Sequence, residues 1–170
     1  MYERRKAPSP REIAIARALQ DAGVDFAADV PCAVVAGVLE SLVRSGVPSV
    51  DVTREEEGVG ICAGAALTGR TPVLLLQNSG LGNCGNALAS LTEYFGLPLV
   101  LVVGWRGGPG ESVGAQRPMG RATTGLLRAL HVPFVRVRGA ADASRVTAAV
   151  GRARREHRPV AVLLRPEEGR

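Results

Sequence analysis

TPVLLLQNSGLGN, residues 71–83, sets four aliphatic residues, Val73 to Leu76, ahead of a loop of Gln77, Asn78, Ser79 and two glycines. A short continuous apolar run bounded by turn residues reads as a strand buried on both faces. Strands of that kind belong to parallel sheets covered by helices. The glycines that follow let the backbone turn and enter a helix, which is the strand–loop–helix step of a βαβ unit.

The same alternation extends in both directions. Upstream, PREIAIARALQDAG (10–23) has helical spacing and ends on Gly23, a C-terminal cap signal. VDFAAD (24–29) is a short strand, CAVVAGVLESLVRSG (32–46) a second glycine-closed helix, and VPSVDVT (47–53) another strand. EEEGVGICAGAALTG (55–69) is the third helix. Downstream come helix LGNCGNALASLTEYFG (81–96), strand LPLVLVVGW (97–105) and a Gly/Pro-rich loop over 106–120. Helix RATTGLLRAL (121–130), strand VPFVRVR (132–138), helix ADASRVTAAVGRARREH (141–157) and strand RPVAVLLR (158–165) complete the chain. About six strands alternating with helices imply right-handed crossovers and a single doubly wound α/β domain, mostly parallel, with helices on both faces. One domain over 1–170 is expected, with residues 1–9 as a flexible N-terminal tail.

Composition excludes several classes. The chain has 170 residues, 46% hydrophobic but only 4% aromatic, so its core is aliphatic. No apolar run reaches the roughly 18 residues of a membrane span, and the start is too polar for a secretory signal. Cys32, Cys62 and Cys84 are odd in number, widely spaced and without a His cluster, which reads as reduced cytoplasmic thiols with no metal site. The charge of +5 gathers at the ends, in Arg4, Arg5, Lys6 and Arg11 and again in Arg152, Arg154, Arg155, Arg158 and Arg165. The scattered aromatics argue against nucleic acid, and a solvated basic rim is the expectation.

In a doubly wound sheet, ligands bind beyond the carboxyl ends of the strands. Four segments lie there: DVPC (29–32), VTREEE (52–57), LQNSGLGN (76–83) and VGWRGGPGE (103–111). QNSGLGN can offer backbone amides to an anion, but it meets neither the P-loop nor the GxGxxG pattern and reads equally as a tight turn. The long loop carries Arg106, Arg117 and Arg121, whose forks suit carboxylate, phosphonate or sulfonate, or are simply solvated. Glu55, Glu56 and Glu57 are ambiguous by periodicity. Helix N-termini favour ionised acids by about 0.3–1 kcal/mol, so three solvated caps are the plain reading. A fully buried glutamate would instead keep its proton and suit acid–base work.

Together DFAADVPC, TREEEGVGICAGAALTGR, LLLQNSGLGN, LPLVLVVGWRG and GAQRPMGRATTGLL resemble the pyrimidine-binding domain of thiamine-diphosphate-dependent decarboxylases. More narrowly they resemble the sulfopyruvate decarboxylase α subunit and the N-terminal half of phosphonopyruvate decarboxylase. TREEEGVGICAGA and GAQRPMG look like the sulfopyruvate type, whereas GWRGGPGE leans to the phosphonopyruvate type. The resemblance implies that a glutamate opening the third helix hydrogen-bonds N1′ of the cofactor's aminopyrimidine and relays a proton. Family spacing, counted back from the glycine of CAG, lands on Glu55; matching EEGV to an EQGA-like pattern selects Glu56. Cofactor contacts are expected at Pro31, Glu55, Gln77, Asn78, Ser79 and Gly80, and substrate contacts at Cys32, Arg106 and Gln116. The small residues of the third helix are expected to let it pack closely beneath the cofactor.

Two departures matter. Ala33 stands where many members carry Asp or Ser, and His131 and His157 lie outside the matched loops, as surface or packing residues. No GDG motif occurs, so the resemblance implies half of a thiamine diphosphate site, with Mg2+ and the diphosphate held by a separate β subunit in a hetero-oligomer. The expected reaction is decarboxylation of 3-sulfopyruvate, with 3-phosphonopyruvate as the alternative. A non-catalytic assembly subunit of the same fold is the alternative from another class, and a free-standing nucleotide-binding domain rests only on SGLGN.

Overall fold

The computed structural model describes residues 7–167. Arg4, Arg5 and Lys6, and residues 1–6 of the expected tail, lie outside the described residues. Within that span Ser9 is already a buried N-cap. Its hydroxyl accepts from the Glu12 backbone N–H while the Glu12 carboxylate accepts from the Ser9 N–H, a reciprocal capping box with Pro10 in the first helical turn.

Six strands form one sheet in the order β2-β1-β3-β4-β6-β5, every neighbouring pair parallel. They are β1 (Phe26–Asp29), β2 (Ser49–Asp51), β3 (Pro72–Gln77), β4 (Leu99–Gly104), β5 (Phe134–Val137) and β6 (Pro159–Leu164). The helices are α1 (Pro10–Asp21), α2 (Ala36–Arg44), α3 (Glu55–Leu67), a short α4 (Gly85–Ala87) that runs into a π-helical stretch, Leu88–Glu93, then α5 (Gln116–Ala129) and α6 (Ala143–Glu156). β4 and β6 are buried along their whole length and β3 up to Gln77, as continuous apolar runs require.

Strand alternation sorts the core into two layers. Val73, Leu75, Val100, Val102, Val160 and Val162 pack with residues of α1, α2 and α6. Leu74, Leu76, Leu99, Leu101, Val103 and Leu163 pack with α3, the π-helical stretch and Leu127 of α5. Helix ends follow the glycine rule at Gly23, Gly46 and Gly69, all with positive φ. His131 and His157 take the same left-handed conformation after α5 and α6 and are exposed, so both are turn residues. Among the described residues, no helix is long and apolar enough to cross a membrane.

Three boundaries differ from expectation. α2 starts at Ala36, because Cys32 to Val35 form a turn closed by the Val35 N–H donating to the Cys32 carbonyl. α5 begins at Gln116 rather than 121, bringing Gln116 and Arg117 out of the loop and into its first turn. The helix expected over 81–96 is broken into a 3-10 turn at Gly80–Gly82, α4 and the π-helical stretch.

The strand order sets the site. The chain passes from β1 outward to β2 and returns to β3 on the other side of β1, so a crevice opens at the carboxyl ends of β1 and β3. α3 enters the fold beside that crevice.

Candidate active site

The three adjacent glutamates separate into three tasks. Glu57 is exposed and its carboxylate accepts from the Thr53 backbone N–H at 3.1 Å, tying the chain before α3 to its first turn. Glu56 pairs with Arg54 at 2.6 Å, and its Oε2 is buried without a hydrogen-bond partner among the described residues. Glu55 turns towards the loop after β3. Its Oε2 accepts from Asn83 Nδ2 at 3.0 Å, and its carboxyl lies flat on the bare backbone of Gly80, where any Cβ would overlap it. Glu55 and Glu56 are each half-buried.

The small residues of α3 divide likewise. A Cβ on Gly58 would stand 2.5 Å from Leu74 Cδ1, so this glycine lets α3 settle onto β3. Gly60 and Gly64 meet nothing within 4 Å and face outward. The small residues of α3 thus fall on two sides: Gly58, Cys62 and Ala63 are buried and let the helix lie close to the sheet, whereas Gly60 and Gly64 face outward.

Beyond β3, Gln77 Nε2 donates to Ser79 Oγ at 2.6 Å and to Gln116 Oε1 at 3.2 Å, joining the loop to the first turn of α5. Asn78, expected to touch cofactor, is wholly buried and does not reach the crevice. Its Nδ2 donates to the Arg106 carbonyl and to Thr123 Oγ1, its Oδ1 accepts from the Arg106 N–H, and its own N–H reaches the Gly104 carbonyl. All of its capacity goes to bracing the ends of β3 and β4 against α5, so Asn78 positions the loop. Asn78→Ala strands the Arg106 N–H and should cost about 2–3 kcal/mol. The expected drop in melting temperature is roughly 5–10 °C, to be read by thermal denaturation.

Arg106, expected to hold substrate, is engaged by Glu111. Nε donates to Oε2 at 3.1 Å and Nη2 to Oε1, while the Gly107 and Val113 N–H groups donate to the same carboxylate. The Arg106 guanidinium first, and these amides second, hold the Glu111 carboxyl at about 2, so it stays ionised through the neutral and mildly acidic range. Cys32 is half-buried against Gly104 and its thiol is pushed up by burial; Pro31 and Ala33 are exposed beside it. Cys62 and Cys84 are buried with thiols raised to about 12, first by burial and, for Cys84, then by Glu55 and Glu56. All three cysteines are free. No metal-binding cluster of His, Cys, Asp or Glu occurs among the described residues.

The solvated-rim expectation fails for three arginines. Arg11 is buried and bonded to the Arg165 carbonyl and to Glu167. Arg158 bridges Glu93 and the His131 carbonyl. Arg165 lies 3.8 Å from the centre of the Trp105 ring, at the edge of a cleft it shares with Gln77, Arg106 and Ala33. Sequence spacing could not reveal this pairing, because the two partners come from the ends of adjacent strands β4 and β6.

Residues 12–124 match the family described as the N-terminal TPP binding domain of thiamine pyrophosphate enzymes. The chain belongs to this family. As a thiamine pyrophosphate enzyme domain it is 47% identical over 131 residues to sulfopyruvate decarboxylase subunit alpha of Methanothermobacter thermautotrophicus, covering 76% of this chain and 79% of that one. It is 34% identical over 146 residues to phosphonopyruvate decarboxylase of Streptomyces viridochromogenes, covering 84% of this chain and 37% of that one. A 2-oxoglutarate:ferredoxin oxidoreductase from Magnetococcus marinus shares the fold, with a TM-score of 0.73 over 91% of this chain and 28% of that one at 18% identity. The matched span of the thiamine pyrophosphate domain contains Glu55, Gly80, Arg106 and Gln116. It stops short of His131, His157 and Arg165.

Proposed function

We propose that the chain is the pyrimidine-binding α subunit of a thiamine-diphosphate-dependent decarboxylase. It converts 3-sulfopyruvate to sulfoacetaldehyde and CO2 together with a separate β subunit that carries the diphosphate site and Mg2+. The observation that carries this reading is the Glu55 carboxyl laid on Gly80 at the sheet's crevice. Among the described residues no hydrogen bond reaches its Oε1, while Asn83 donates to Oε2. A carboxyl held by one oxygen and open at the other fits the N1′ atom of an aminopyrimidine.

In this reading Glu55 holds and releases the proton at N1′ as the relay, and Asn83 orients it. Glu56 and Glu57 stay with Arg54 and Thr53 and keep the helix end closed. Pro31, Gln77, Ser79 and the backbone of Gly80 form the rim that receives the cofactor, and Cys32, Gln116 and Arg106 border the substrate. Thiamine diphosphate, when bound, supplies the electron sink for the bond that breaks as CO2 leaves. The half-exposed state of Glu55 supports a site completed by a partner, because water must be shut out before such a proton relay works well. Three free thiols suit a cytoplasmic enzyme.

Phosphonopyruvate is the second reading, favoured by the match to phosphonopyruvate decarboxylase over most of this chain and by the Arg106–Glu111 clamp in the loop that carries GWRGGPGE. Co-purification with the partner subunit and CO2 release on both substrates decide between them. The expected outcome is turnover by the complex, faster on 3-sulfopyruvate, and none by this chain alone. Turnover by the isolated chain would overturn the half-site reading.

A further inference from the structure

A cleft of about 870 Å³, lined by Gln77 of the proposed cofactor rim, opens between the turn after β1, the end of β3, the loop 106–112 and the end of β6. Its charged side chains are almost all matched. Arg106 is gripped by Glu111 through two nitrogens, and Arg11 pairs with Glu167. Arg165 has no carboxylate partner among the described residues. Its Nη1 reaches only the Trp105 carbonyl, at 3.5 Å, and its guanidinium is stacked on the Trp105 ring. Gly108 keeps the loop off it, since a Cβ there would overlap Nη1. Trp105 is itself fixed, 8% exposed with Nε1 donating to the Gly120 carbonyl at 2.9 Å. Burial first and Arg136 second pull the Arg165 pKa below the ordinary arginine value, yet a guanidinium stays charged.

A half-buried cation without a counter-charge is costly unless an anion arrives to match it. The leaving carboxylate is the wrong anion. Its charge disperses as the bond to CO2 breaks, so a cation gripping it would stabilise the ground state more than the transition state. A group that keeps its charge throughout can be held tightly at no such cost. A planar fork pinned by stacking also suits the oxygens of a tetrahedral oxyanion.

We propose that Arg165, held flat against Trp105, binds the second anion of the substrate, a sulfonate or phosphonate on the carbon next to the ketone, and so determines which 2-oxo acids the site accepts. This rests on the decarboxylase reading above. Arg106 is then the loop clamp, and the expectation that it is the main substrate arginine passes to Arg165.

Two measurements test the assignment. In the complex with the partner subunit, Arg165→Met should raise KM for 3-sulfopyruvate or 3-phosphonopyruvate by about 10- to 100-fold, leave kcat within about threefold, and leave KM for pyruvate unchanged. Arg165→Lys should fall between wild type and Met for the dianions. The dianion with the lower wild-type KM identifies the group that is read. An unchanged dianion KM in Arg165→Met, or an equal rise for pyruvate, overturns the assignment. The second measurement needs no turnover. Trp105 is the single tryptophan, so sulfoacetate or phosphonoacetate added to the full chain should give a saturable change in its emission that acetate does not give and Arg165→Met abolishes. If the wild-type complex decarboxylates neither dianion while this Arg165-dependent signal persists, the decarboxylase reading fails and the anion site stands. An active complex with wild-type KM values in Arg165→Met does the reverse.

Discussion

Glu55→Gln in the assembled enzyme should lower kcat by roughly 10²–10⁴-fold, the range over which a positioned acid–base group acts, while the chain still folds and still pairs with its partner. The glutamine carbonyl can still accept from Asn83, so the loop keeps its tether. What is lost is the exchangeable proton at the open oxygen. Helix α3 also loses a negative charge in its first turn, worth about 0.3–1 kcal/mol, a small change in melting temperature. Glu56→Gln provides the contrast. One oxygen of its carboxylate pairs with Arg54 and the other is buried without a hydrogen-bond partner among the described residues; with Glu55 as the relay, its replacement should change turnover by no more than about threefold. Steady-state rates with melting curves for both variants separate the two registers. Full turnover in Glu55→Gln would remove Glu55 as the relay, and a large loss confined to Glu56→Gln would move the role there.

That contrast marks where reading the chain alone stops. The alternation of buried runs such as VLLL and LVLVV with glycine-closed helices made the doubly wound sheet legible, because burial on both faces leaves no polar positions to confuse the pattern. The set of loops that gather at the carboxyl ends followed from the same topology. Glu55, Glu56 and Glu57, however, stand 100° apart around one turn, and nothing in their spacing says which way the crevice lies. Gly80, 25 residues further on, leaves the backbone bare where the Glu55 carboxyl rests, and that contact is the ground on which Glu55 is proposed as the relay. Arg165 was illegible for the same reason. In sequence it is one more basic residue near a basic end, and only the parallel pairing of β4 with β6 carries it to Trp105. Asn78 has a bracing role that its place in the loop did not show. A polar residue in a ligand loop reads as a ligand contact, whereas in the structure its side-chain amide is taken up by the backbone of Arg106 after β4 and by the Thr123 hydroxyl of α5. The start of α5 was hidden by Gly114 and Pro118, which read as loop chemistry; no side chain caps it, and Ala115 simply begins the turn.

The glycine beneath Glu55 also permits a sharper experiment than removal of the acid. Gly80 has no positive φ, so alanine suits its backbone and the substitution carries no intrinsic strain. The added methyl would occupy the space of the Glu55 carboxyl and Cγ, the outer part of a flexible and half-exposed side chain. Glu55 can swing away at small cost, and stability should fall by no more than about 1 kcal/mol, the size of one exposed hydrogen bond. Function depends on placement, and displacing a reacting group by 1 Å can cost about 10²-fold. Gly80→Ala should therefore lose at least about 10²-fold in kcat with a melting temperature within roughly 4 °C of wild type. Adding it to Glu55→Gln should cost little more, because both changes remove the same interaction and residues acting as a unit are not additive. A double variant that falls by the product of the two losses would mean that Gly80 acts on something other than Glu55. Full turnover in Gly80→Ala would mean that the working enzyme holds its relay elsewhere.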